Sequence, residues 1–133
     1  MMARPWRILI VDDDALILGA LRFALHGEGY EVIAAKGGQA GIDAFTAAAA
    51  STEPFSAVIT DLGMPQVDGY AVAAAIKTLS AGTPVILLTG SGHAVRASAH
   101  VDRLLEKPTR LAELRSALSE LISEERAAYR RRL

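Results

Sequence analysis

Six residues of this sequence have side chains suited to handling a phosphoryl group. Asp12, Asp13 and Asp14 stand in a row after one apolar run, and Asp61 follows a second. Thr89 closes a third run, and Lys107 follows a fourth, directly before Pro108. Carboxylates crowded together repel, and each resists ionising without a counter-charge. Mg²⁺ supplies that charge, takes oxygen ligands and usually keeps some water. A metal held by Asp13 and Asp61 could also grip a phosphoryl oxygen. Lys107 could neutralise a second oxygen as a point charge, and the Thr89 hydroxyl could donate to a third. Asp61 could then attack phosphorus in line, because phosphoryl transfer depends mainly on positioning and charge stabilisation. The product would be an aspartyl phosphate.

For these side chains to meet, the runs that carry them must lie side by side and end at one edge. Residues 7–11 form a β-branched run that stops at the acids. Residues 15–26 carry Leu16, Ile17, Ala20, Leu21, Ala24 and Leu25 at helical spacing, until Gly27 and Gly29 end the helix. Residues 31–35 read as a second strand, and residues 38–49 as a helix through Ala40, Ile42, Ala44 and Phe45. Glu53-Pro54 breaks that helix, and residues 57–60 form a third strand running into Asp61. A loop with Pro65 and Gly69 leads to a helix over residues 70–79, and residues 81–84 are a turn. Residues 85–88 are the most continuous apolar run and predict a central strand covered on both faces. Residues 95–100 read as a weak fourth helix and residues 103–106 as a fifth strand. Leu111, Leu114, Ala117, Leu118, Leu121 and Ile122 form one face of a final helix, from about residue 110 to 125. The pattern predicts an α/β fold: a doubly wound, five-stranded parallel sheet with five helices in three α/β/α layers. Functional groups in such sheets gather at the carboxyl ends of the strands, where Asp12, Asp13, Asp61, Thr89 and Lys107 fall.

A chain of 133 residues, 51% of them hydrophobic, suits one domain with one core. The net charge of −1 points to neither nucleic acid nor an anionic membrane. The absence of cysteine excludes disulfides, thiolate metal sites and cysteine nucleophiles, and suits a reducing cytoplasm. No apolar run is long enough to span a bilayer. Residues 1–7 lack the apolar segment and cleavage site of a signal peptide. The expectation is a cytoplasmic protein without membrane contact.

The short motifs become specific through their order and spacing. Ile8-Leu9-Ile10-Val11-Asp12-Asp13-Asp14, then Asp61-Leu62-Gly63-Met64-Pro65 with Asp68-Gly69, then Leu88-Thr89-Gly90, then Lys107-Pro108 together resemble bacterial two-component receiver domains. That CheY-like superfamily of response regulators has a flavodoxin-like fold, and the resemblance runs from about residue 7 to 125. It implies that Asp61 is the phospho-acceptor. Asp13 would hold Mg²⁺ directly and Asp12 largely through water, with Asp61 and the backbone carbonyl of Gly63 completing the protein ligands. Thr89 would be the switch hydroxyl, Lys107 its partner at the phosphoryl group, and Gly90 would leave that group room. The Lys107–Pro108 bond would be cis, as is common in the family. Gly63 and Ser91 would tune the phosphoryl lifetime.

The resemblance also implies partners. A histidine kinase or histidine phosphotransfer protein would donate the phosphoryl group. Phosphorylation would bias an existing inactive–active equilibrium, read by a downstream protein target rather than by nucleic acid directly. The responding surface would be strand four, helix four, strand five and helix five, and helix four, strand five and helix five would also offer a homodimer face. The chain would be a signalling domain, catalysing only its own phosphoryl transfer and dephosphorylation. The receiver is expected over residues 1–125 and a basic tail over 126–133, with no output domain following. It would be a stand-alone receiver or one cut from a hybrid kinase. One position departs from the family: the switch aromatic three residues before the lysine is Leu104 here. The usual coupling between threonine and aromatic rotamers cannot operate in that form.

Each residue also has a plain structural role. Asp14 before Ala15-Leu16-Ile17 reads as an N-cap, which leaves Asp12 and Asp13 unaccounted for. Asp61 alone could be a turn residue, Thr89 a strand end and Lys107 an exposed turn lysine; their joint order favours the chemistry. Pro65 would hold Met64 extended, and Gly69 would supply a positive φ before its helix. His26, His93 and His100 are scattered and read as surface residues, and Trp6 as a packing anchor. Arg126, Arg130, Arg131 and Arg132 read as a solvated helix end. Three rivals remain. An Mg²⁺-dependent phosphohydrolase could use Asp12 and Asp14, although the best nucleophile follows the third strand. A flavin or nucleotide module would need a Gly-rich loop where three acids stand. A receiver could also serve as a docking surface without being phosphorylated.

Overall fold

In the computed structural model, which describes residues 4–90 and 95–133, strand alternation decides which layer each core residue joins. The elements are β1 (Arg7–Asp12), α1 (Ala15–Gly27), β2 (Glu31–Lys36), α2 (Gly38–Ala49), β3 (Ala57–Asp61), α3 (Gly69–Leu79), β4 (Val85–Thr89), β5 (Arg103–Glu106) and α4 (Leu111–Arg132). The strands pair in parallel in the order β2-β1-β3-β4-β5. Ile8, Ile10, Ala57, Ile59, Ile86 and Leu88 turn to one face, where Leu18 and Leu25 of α1 and Leu114, Leu118 and Ile122 of α4 meet them. Leu9, Val11, Val58 and Val85 turn to the other, against Phe45 of α2 and Val72, Ala73 and Ile76 of α3. β3 and β4 are buried along their whole length, as expected for strands covered on both sides.

Local chemistry sets the element ends. The Asp14 carboxylate caps α1 by accepting from the Leu16 and Ile17 N–H groups at 2.9 and 3.4 Å, and Asp68 caps α3 through Ala71 N–H at 2.9 Å. Gly29, at φ 97°, closes the exit from α1. Trp6 stacks on Tyr30 with ring centroids 6.3 Å apart, anchoring the edge of the sheet.

Three expectations need correction. First, the described residues contain four helices rather than five, because residues 95–100 are not helical. Six residues are too few to repay helix nucleation, and the Tyr70 hydroxyl holds both the N–H and the C=O of Arg96, at 2.9 and 3.1 Å. Ser91 and His93 lie outside the described residues. Second, α4 continues through the expected basic tail to Arg132. Arg132 pairs with Glu125 at 3.0 Å, and cations in the last turn complement the helix dipole. Third, Gly69 does not take a positive φ; Gln66 does, at 67°. Gly69 is required for closeness, since a Cβ there would collide with the Asp61 carbonyl oxygen and the Leu87 side chain and approach Leu62 Cα at 2.8 Å.

Candidate functional site

β1 ends at Asp12, buried at 2% exposure, while Asp13 beyond it is exposed. Asp12 Oδ1 accepts from the Asp14 N–H at 2.9 Å, and the Asp14 carboxylate turns away to cap α1. Parallel pairing sets Val11 opposite Thr60 and Asp61 opposite Leu88, so Asp12 and Asp61 emerge from adjacent strands at the same edge. Asp12, Asp13 and Asp61 each present a carboxylate oxygen within 4.8 Å of the others. Lys107 follows β5 with its N–H donating to the Thr89 carbonyl at 2.8 Å. Its ammonium reaches back over the edge to Asp61 Oδ1 at 2.8 Å and Asp12 Oδ2 at 3.2 Å.

Burial pushes the Asp12 carboxyl above its ordinary value of 3.8. The Asp61 charge adds to that rise, against the opposing Asp14 N–H and Lys107. Burial alone would lower the Lys107 ammonium. The hydrogen bond to Asp61 and the charges of Asp12 and Asp61 outweigh it and hold Lys107 above its ordinary 10.5. The site is thus an oxygen-rich cluster of three carboxylates, two of them paired with one ammonium. Its donors are all hard oxygens and its charge deficit suits a divalent cation, so the residues present fit Mg²⁺.

Thr89 stands at the same edge, 4% exposed, with its hydroxyl donating to the Gly90 carbonyl at 3.3 Å. Gly63 lies in the exposed loop after β3. Leu104 sits on β5 opposite Leu87, and 41% of its surface is exposed. Asp12, Asp13, Asp61 and Lys107 therefore converge, with Thr89 beside them and Leu104 farther back along β5. His26 and His100 are exposed. Tyr70, which no sequence motif singles out, is 6% exposed and clustered with Leu62 and Leu87. A bulky aromatic in the first turn of an Ala-rich helix, directly after Asp68-Gly69, was the available signal.

A parallel sheet in this order, with acids and a lysine where a phosphate-binding loop could stand, defines a flavodoxin-like α/β domain with an acidic site at its carboxyl edge. The profile of the response regulator receiver domain matches residues 8–119, and the chain belongs to that family, as a receiver domain of two-component signalling. Response regulator MprA of Mycolicibacterium vanbaalenii is 34% identical over 131 residues, covering 96% of this chain and 52% of its own length. A receiver domain protein from Clostridium thermocellum superposes with a TM-score of 0.85 at 30% identity, over 92% of this chain and 98% of that one. Response regulator TrrA of Thermotoga maritima, solved in complex with Mg²⁺-BeF, gives 0.76 at 30% identity, over 87% and 98%. The chain spans about a fifth to a half of the length of the curated relatives it matches. No helix among the described residues is long and apolar enough to cross a membrane.

Proposed function

We propose that Asp61 accepts a phosphoryl group from the phosphohistidine of a histidine kinase or histidine phosphotransfer protein, in an Mg²⁺-dependent transfer. The observation that carries this reading is Lys107 bridging Asp61 and Asp12, two buried carboxylates that share an oxygen cluster with Asp13. A carboxylate oxygen of Asp61 forms the new P–O bond as the P–N bond to the donor imidazole breaks, and the bonding electrons leave with the ring. Lys107 neutralises the developing charge on one phosphoryl oxygen. Thr89, whose hydroxyl makes a long 3.3 Å bond to its neighbour's carbonyl, turns to donate to another. Asp12, Asp13, Asp61 and the Gly63 carbonyl would hold Mg²⁺, which when bound supplies positive charge to the phosphoryl oxygens. The Mg²⁺-BeF complex of TrrA supports the same cofactor here.

The proposed output is protein contact through β4, residues 95–102, β5 and α4, a face that also suits a homodimer. The proposed output does not include direct nucleic-acid binding; relatives whose names make them transcriptional regulators are longer proteins. The receiver is assigned to residues 1–125, with 126–133 as a basic extension, and to the cytoplasm, which the cysteine-free composition suits. The phosphohydrolase reading loses its second acid, because the Asp14 carboxylate is engaged in capping α1. Intact-mass analysis after acetyl phosphate treatment tests the proposal. One phosphate is expected per chain, requiring Mg²⁺ and lost in Asp61→Asn. Equal uptake by Asp61→Asn would refute the acceptor assignment.

A further inference from the structure

Tyr70 makes contacts that neither α3 packing nor the acid site requires. Its hydroxyl accepts from the Arg96 N–H at 2.9 Å and donates to the Arg96 carbonyl at 3.1 Å. The Arg96 guanidinium carbon lies 3.9 Å from the ring centroid. One side chain thus grips the backbone and side chain of a single residue in the connection between β4 and β5. Among the described residues, the other hydrogen bonds of residues 95–100 are local, within residues 98–101. Arg96 itself is exposed, so its backbone polar groups could bond to water. The tie to Tyr70 fixes the conformation of the segment rather than rescuing buried polar groups.

The other end of Tyr70 is wired to the acceptor. Its ring is buried with Leu62, the residue after Asp61, and Leu87, two residues before Thr89. Gly69, immediately before it, donates its N–H to the Leu62 carbonyl at 2.9 Å and packs against the Asp61 carbonyl so closely that no Cβ fits. A shift of Asp61 or Thr89 therefore bears on the Tyr70 ring, and a shift of the ring bears on Arg96. Leu104 has no polar group and no ring with which to make such a link.

We infer that Tyr70 is the positioning residue that couples the acceptor site to the β4–β5 connection, with its hydroxyl clamping Arg96 in the unphosphorylated state and releasing it on phosphorylation. The inference rests on the proposed phosphorylation of Asp61. The test compares the full chain with Tyr70→Phe, which keeps the ring and loses the hydroxyl, and with Arg96→Ala, which keeps the backbone clamp and loses the stacking. Phosphate uptake is read by intact mass, and amide hydrogen exchange at position 96 is read with and without Mg²⁺ and beryllofluoride. The wild type is expected to exchange about tenfold faster at position 96 when the phosphoryl mimic is bound, the scale of one lost hydrogen bond. Tyr70→Phe should take up one phosphate, exchange fast at the outset and show no further response. Arg96→Ala should respond like the wild type. Normal uptake, with exchange in Tyr70→Phe still slow or still responsive, would overturn the clamp alone. A wild type that takes up no phosphate would overturn the clamp and the proposed function together.

Discussion

Replacing Lys107 with Met tests whether this lysine is what makes the acid cluster tolerable in the folded state. The ammonium is 2.8 Å from Asp61 Oδ1 and 3.2 Å from Asp12 Oδ2. At an effective dielectric of about 20, these contacts are worth roughly 6 and 5 kcal/mol before the cost of desolvating the ammonium. The acid oxygens lie within 4.8 Å of one another, and two full charges at that separation repel by about 3.5 kcal/mol on the same scale. Desolvation offsets much of the gross attraction, and a quarter of the lysine side chain remains in solvent. The net loss for Lys107→Met in metal-free buffer should therefore be about 2–3 kcal/mol, somewhat below the range for breaking a fully buried pair. For a domain of this size that lowers Tm by roughly 10 °C. Mg²⁺ should then stabilise the variant more than the wild type, since the carboxylates no longer share their charge with an internal cation. Thermal unfolding in EDTA and in saturating Mg²⁺ measures both quantities. An unchanged Tm in EDTA, or an Mg²⁺ shift no larger than that of the wild type, would refute the electrostatic account.

Asp12→Asn should stabilise the metal-free protein at pH 7 by a few degrees in Tm, because burial disfavours the ionised carboxylate there. The sign follows from the raised folded-state value: the penalty is full above it and disappears below the ordinary value of 3.8. The advantage of Asp12→Asn in thermal melts should accordingly shrink as pH falls and vanish near pH 3.8; a constant advantage across that range would contradict it. Gly69→Ala should cost about 1–3 kcal/mol by overpacking, seen as a Tm decrease with slower phosphate uptake. A melt within a degree of the wild type would show that the Asp61–Gly69 contact relaxes easily.

The strands were legible because each is a short apolar run stopped by a polar residue, and parallel pairing then fixed which residues meet. Residues 85–88 announce a doubly covered strand, and the alternation of strand residues into two cores follows from the two-residue period. Asp14 was legible as a cap because its position relative to Ala15-Leu16-Ile17 is a local signal. The end of α4 was not, since apolar periodicity stops at Ile122 and residues 126–132 stay helical through charge and continuity. The role of Gly69 was misread because sequence alone cannot separate a glycine needed for φ from one needed for closeness. The β4–β5 connection was misread for a tertiary reason: the hydroxyl that holds the Arg96 backbone comes from Tyr70, 26 residues earlier.

That long-range tie bounds how strongly this receiver can switch through the β4–β5 connection. Two hydrogen bonds join Tyr70 to the Arg96 backbone, each worth about 0.5–1.5 kcal/mol net. Their release can therefore supply about 1–3 kcal/mol, the usual size of an allosteric coupling and a change of roughly 5- to 150-fold in an equilibrium. It falls short of the about 5.5 kcal/mol needed to carry a segment from almost wholly clamped to almost wholly free. A phosphorylated population acting through this tie alone would remain mixed, and a partner that binds the released segment would complete the shift. The segment's Val95 and Ala97 are exposed already, and release of the clamp would add the Arg96 side chain, now stacked on Tyr70, to the surface offered to that partner.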